Sequence, residues 1–285
     1  MKRKKWIDVA KGIGILMIIV GHCWPIYDQN LIRSFLYAVH VPLFFVISGY
    51  LFKEKKATDL AKKNSKSLLM PYAITSAILI ATSYINNHFS IPKMYSMGPT
   101  KQVILSVFYG IGDVTVIPLL HKEIHFIGAI WFLLAMFFAN QFFNWSLKRA
   151  KGSLTKIFML SLAFCLVGFM ISRVFLLPFS INSAMIAQLF YWFGYVLKRK
   201  EFKFSHVAFL VIGGYLWLMS AWSGIFYVVN GHANYYLLAV LGAFGGSYVI
   251  MFLSTKITKI RGFNFLSWIG RNSLIALCVH LVDLN

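Results

Sequence analysis

The feature that most constrains this 285-residue chain is a regular alternation of long apolar runs with short cationic loops. Runs of about twenty apolar residues can cross a bilayer as helices, and they fall at 6–26, 35–52, 67–87, 125–147, 154–172, 178–197, 206–222, 234–254 and 264–282. Lipid offers no partners to a bare backbone, so such runs must satisfy their amides internally. The expected fold class is therefore all-α, a polytopic transmembrane helical bundle of about nine to ten spans. A hydrophobic share of 59% and a mean hydropathy of +0.71 exclude an ordinary soluble domain.

Charge gives the bundle a direction. Lys2, Arg3, Lys4 and Lys5 precede the first run; Lys53, Lys55, Lys56, Lys62, Lys63 and Lys66 follow the second. Later clusters are Lys148, Arg149, Lys151 and Lys156, then Lys198, Arg199, Lys200 and Lys203, then Lys256, Lys259 and Arg261. The alternate loops hold only Arg33, Lys93, Lys101, Lys122 and Arg173. Twenty-one cations against five, alternating without a break, predict a cytoplasmic N-terminus by the positive-inside bias. An odd number of spans then puts the C-terminus outside. The formal charge of +20 does not indicate nucleic acid, because the cations form loop clusters and no continuous basic stripe.

The basic start followed by an apolar run resembles a signal peptide, but Asp8 and Lys11 interrupt it and no small-residue cleavage pattern follows Trp24-Pro25, which predicts an uncleaved first helix. Cys23, Cys165 and Cys278 suggest neither a disulfide framework nor a zinc site. Residues 86–124 form a long outer loop with Pro92, Pro99 and Pro118 and an apolar stretch, Val103 to Ile111, too short to cross. With no repeat and no separate soluble domain, residues 1–285 read as a single integral membrane domain.

Ionisable side chains within the spans carry the chemistry, since they are costly there and usually functional. Lys11 and His22 lie eleven residues apart in the first run, which returns to within about 20° of the same helix face with a rise of about 16 Å. Asp8, three residues before Lys11, could orient or partly neutralise it; Lys11 could also simply snorkel to headgroups. The first two spans form a hairpin that brings His22 and His40 to one outer level, a plausible proton-transfer pair; the plainer reading, favoured for His40 taken alone, is an interfacial histidine satisfied by a carbonyl or by water. Ser48, beside Gly49, sits about two turns deeper than His40 and lacks the adjacent base a nucleophile needs. In the last run, Asn272 and His280 are either interhelical glue or part of the same polar cavity. His121 and His125 lack a third ligand, so no metal is expected.

At this point the residues resemble a family. The segment from Asp8 through Lys11 to His22, followed by His40-Val-Pro-Leu-Phe-Phe-Val-Ile-Ser48-Gly49-Tyr-Leu-Phe, is similar to the opening of the acyltransferase family 3 membrane proteins, which include fucose 4-O-acetylase-like proteins. Trp131-Phe132-Leu133 and the Asn272-Ser273 to His280 ending fit as well. The resemblance implies a multi-pass protein of the bacterial inner (cytoplasmic) membrane, an O-acetyltransferase with cytoplasmic acetyl-CoA as acyl donor and a cell-envelope or lipid-linked glycan as acceptor. It implies His22 as the catalytic base. Lys11 stands where the family usually has Arg, as a donor-binding or electrostatic residue with Asp8 beside it. His40, Ser48, Asn272 and His280 are pocket candidates.

No cofactor is expected to stay permanently bound; the expected partners are acetyl-CoA, the sugar acceptor and membrane lipid, without nucleic acid. Lys keeps the charge of Arg but not its bidentate fork. Family members usually have ten spans where nine are counted here, so either one helix is missed, for instance within 86–124, or the chain is a short or truncated member. Two other functions stay open on residues alone: a transporter or flippase of an envelope precursor, and the membrane module of a larger enzyme.

Overall fold

The computed structural model describes residues 4–23, 30–89, 99–117, 122–201 and 207–280. Among these the chain is almost wholly helical. The elements begin α1 Lys5–His22, α2 Leu31–Tyr37, α3 His40–Leu51, α4 Ala57–Asn64, α5 Met70–Phe89 and α6 Thr100–Tyr109. A small antiparallel hairpin follows, β1 Thr115–Ile117 with β2 Lys122–Ile124, in which Val116 faces Glu123. The rest are α7 Trp131–Ala150, α8 Leu154–Ser172, α9 Ile181–Ile186, α10 Gln188–Arg199, α11 Val207–Trp222, α12 Tyr236–Ile257, α13 Asn264–Arg271 and α14 Ser273–His280.

Five stretches of the described residues are long and apolar enough to cross a membrane: Leu31–Leu51, Ala57–His88, Gly128–Ala150, Leu154–Ser172 and Tyr236–Ile257; Val207–Trp222 is apolar but shorter. Large apolar side chains such as Ile74, Met170, Val211 and Leu237 point outward from these helices, as a lipid-facing surface requires. The protein is therefore a helical membrane protein.

Several predicted runs are interrupted, each for a local reason. The run 35–52 pauses at Ala38 and Val39 between α2 and α3, because Pro42 has no N–H for the Ala38 carbonyl and its ring crowds that turn. The run 67–87 extends back to Ala57 through a π turn, Ser65–Leu69, just before Pro71; the wider turn absorbs the hydrogen bond that the proline cannot make to Ser67. The run 178–197 begins at Pro178 with Phe179 and Ser180 both at positive φ, and is split into α9 and α10. The run 264–282 breaks at Asn272, where the side-chain amide donates to the Trp268 carbonyl at 2.9 Å. Asparagine competes for backbone groups in this way and so tends to end helices.

The helices form two compact units. One comprises Met1–Phe52, Phe190–Val228 and His232–Ala276; the other comprises Lys53–Leu189, Val229–Gly231 and Leu277–Asn285. In the first, glycines let helix backbones touch. A Cβ on Gly12 would strike the Leu266 carbonyl and one on Gly270 that of Asp8, so α1 and α13 cross with no side chain between them. Gly49 and Gly194 do the same for α3 and α10, against Tyr191 and Val46. Small residues at such crossings are how membrane helices gain close packing without a hydrophobic driving force. Trp217 of α11 stacks on Phe35 at 3.9 Å and donates its indole N–H to the Phe35 carbonyl at 2.8 Å, pinning α2.

The second unit is held by buried polar side chains that close loops. Asn144 both accepts from the Lys55 amide and donates to its carbonyl, each at 3.0 Å. The Val103 to Ile111 stretch forms most of α6, which is tied to α5 where Tyr72 donates to the Val107 carbonyl at 2.6 Å. Asn182 accepts from the Leu177 amide and donates to Ser172 Oγ and the Phe175 carbonyl. These bonds satisfy backbone groups that lipid would leave bare.

Candidate functional site

The site lies in the first unit, where α1 ends and α2 leads into α3. α1 is one continuous helix from Lys5 to His22, so Lys11 and His22 do share it. The His22 Nδ1 lies 2.7 Å from the Ile18 carbonyl. A carbonyl only accepts, so Nδ1 carries the proton and the lone pair of the neutral ring is on Nε2. His40 makes the same bond to the Leu36 carbonyl at 2.9 Å and is buried.

The two imidazoles are brought together, with ring centroids 6.4 Å apart and nearly perpendicular planes. Tyr37 fills the angle between them. Its ring centroid lies 4.6 Å from that of His40 and 5.7 Å from that of His22. Tyr227 meets its edge at 5.4 Å, and the Arg33 guanidinium lies over it at 5.0 Å. Gly21 allows this approach, since a Cβ there would sit 3.1 Å from the Tyr37 ring. A charged group, two proton carriers and two phenols thus converge within one pocket of residues.

Three of these side chains are not marked by any sequence motif. By position Arg33 counts as an outer loop cation; the structure buries it, leaving 3% exposed, with Asn30 capping its helix by accepting from the Arg33 amide at 2.8 Å. Tyr37 and Tyr227 belonged to no motif. A signal for two of the three was present: Arg33, Tyr37 and His40 stand at i, i+4 and i+7, one stripe of a helix. Tyr227 carried none, because its place depends on a loop closed by a backbone pair with His232.

The other candidates are placed elsewhere. Ser48 hydrogen-bonds Tyr191, a fully buried side chain of α10. Asp8 is buried and forms an ion pair with Arg271 Nε at 3.7 Å, while Lys11 is half-buried on α1. Asn272 closes α13 on its own backbone. The side chain of His280 and all of His121 lie outside the described residues. Among the described residues no group of three metal-ligating side chains gathers.

A neutral imidazole with its lone pair on Nε2, near a buried cation and two phenol rings, has the chemistry to accept and return a proton. Residues 4–285, essentially the whole chain and both units, match the acyltransferase domain of acyltransferase family 3, and the chain belongs to that family. It is a membrane acyltransferase. Comparison with curated proteins and with solved structures returns no match.

Proposed function

We propose that this protein is an O-acetyltransferase of the bacterial inner membrane that moves an acetyl group from cytoplasmic acetyl-CoA to a hydroxyl of a cell-envelope or lipid-linked glycan. The observation that supports the reading is the convergence of His22, whose neutral ring keeps its lone pair on Nε2, with His40, Tyr37 and Arg33. In the reaction, His22 takes the proton of the acceptor hydroxyl as its oxygen attacks the thioester carbonyl carbon. The C–S bond then breaks, and His22 returns the proton to the departing sulfur.

Lys11 sits about 16 Å along the helix from His22, a distance comparable with an extended phosphopantetheine arm. Its charge serves the donor as a point-charge partner. The ion pair of Asp8 with Arg271 supports a positioning role for Asp8 at the same end of α1. The cationic loops favour a cytoplasmic N-terminus, which lets the phosphates of the donor stay in water while the arm enters the bundle.

Surface glycans from cells with and without the protein, compared by mass spectrometry, test the reading. The expected result is an acetyl group lost from one glycan when the protein is absent, restored by the wild type. Identical glycans, together with no acetyl-CoA turnover by purified protein offered those glycans, would refute it.

A further inference from the structure

A second cluster in the first unit takes no part in the proton chemistry. Tyr50, near the end of α3, is approached by two ammonium groups from distant parts of the chain. Lys4 Nζ lies 5.5 Å from the ring centroid and Lys198 Nζ lies 5.6 Å from it. Lys4 also donates to the Tyr50 hydroxyl at 3.5 Å, and Trp6 sets its ring edge-on at 5.3 Å.

Three other cation–ring contacts among the described residues are of a different kind. Arg149 over Trp145, Lys256 over Phe252 and Arg33 over Tyr37 each join residues four apart on one helix, the ordinary consequence of helical spacing. Lys4 and Lys198 instead converge on one ring from the start of α1 and the last turn of α10. Two ammonium groups each within 5.6 Å of one ring centroid repel one another, and an anion bound near both relieves that repulsion.

The backbone holds this seat in place. Tyr50 follows Gly49 and Lys198 lies one turn beyond Gly194, the two glycines through which α3 and α10 touch. The Tyr50 hydroxyl, accepting from Lys4, directs its own proton away from that ammonium. Two point charges drawn to one phenol ring from separate helices suit the several acceptor oxygens of a phosphate group.

We infer that Lys4, Tyr50 and Lys198 form a phosphate-binding seat. Two sources carry that chemistry: the phosphates of an acyl-CoA donor, which rests on the acetyl-CoA reading above, and the headgroup of an anionic phospholipid. Full-length protein in nanodiscs separates them. Lys4→Ala and Lys198→Ala are compared with wild type using acetyl-CoA and S-acetylpantetheine as donors, and by retention of phosphatidylglycerol in native mass spectrometry; Arg149→Ala is the charge-matched control.

If the donor phosphate occupies the seat, each lysine variant raises the KM for acetyl-CoA about tenfold and leaves that for S-acetylpantetheine unchanged. If lipid occupies it, donor kinetics stay as in wild type while the variants lose bound phosphatidylglycerol and Arg149→Ala does not. Unchanged acetyl-CoA kinetics together with unchanged lipid retention would overturn the seat. A wild type that does not turn over acetyl-CoA refutes the donor assignment, and coenzyme A binding and lipid retention then decide the seat separately.

Discussion

His22 and His40 in one unit and His88 in the other make the same local bond, yet of these three only the first two lie together in a cluster of rings from several segments. Each donates Nδ1–H to the carbonyl four residues earlier, at 2.7, 2.9 and 2.9 Å. His88 is exposed, with its ring against Tyr84 of its own helix at 4.0 Å. His125, also in the second unit, pairs with Glu123 at 3.6 Å. A helix fixes the tautomer of a histidine cheaply by this i−4 bond, and that bond by itself says nothing about function. What distinguishes His22 and His40 is convergence: side chains from α1, α2, α3 and the loop before His232 meet around Tyr37.

The comparison can be broken by substitution. His22→Ala is expected to lower the rate of acetyl transfer by roughly a thousandfold, the scale of a lost general base, with helix content and membrane insertion unchanged; a variant that retains wild-type turnover removes His22 from the chemistry. Tyr37→Ala is expected to cost about thirtyfold in turnover by releasing both imidazoles, whereas Tyr37→Phe keeps the ring packing and stays within about threefold. Equal losses in the two variants would assign the effect to the hydroxyl.

Smaller effects sharpen the contrast. Gly270→Ala pushes a methyl group into the Asp8 carbonyl and is expected to destabilise by about 2 kcal/mol, read as an earlier thermal midpoint in detergent. Gly214→Ala meets nothing within 4 Å and should raise the midpoint slightly, since alanine favours a helix over glycine by about 0.5–1 kcal/mol. His88→Ala should remain within about twofold of wild-type turnover, because its i−4 bond leads nowhere. A large loss there would mean that the shared bond, and not convergence, marks the functional histidines.

The sequence made the helical membrane class, the common helix of Lys11 and His22, and the meeting of His22 with His40 legible, because all three follow from hydropathy, helical period and one short hairpin. Breaks within the runs were less visible. Pro42, Pro71 and Asn272 stood in plain view, but apolar neighbours on both sides mask an interruption when only length and hydropathy are counted. Arg33 was counted by loop position when its spacing to Tyr37 and His40 carried the better information. Tyr227 and the partnership of Lys4 with Lys198 depend on contacts between segments far apart in the chain, which no local pattern records.

The bond from His22 to the Ile18 carbonyl gives the imidazole a single working edge. In the proposed reaction one nitrogen would both collect the proton from the incoming hydroxyl and surrender it to the outgoing sulfur, so both atoms would have to come to the same side of the ring. A sugar arriving from the opposite side would find a nitrogen already committed to the backbone. On that proposal the chain would set a rule of approach for its substrates through a carbonyl that never touches them.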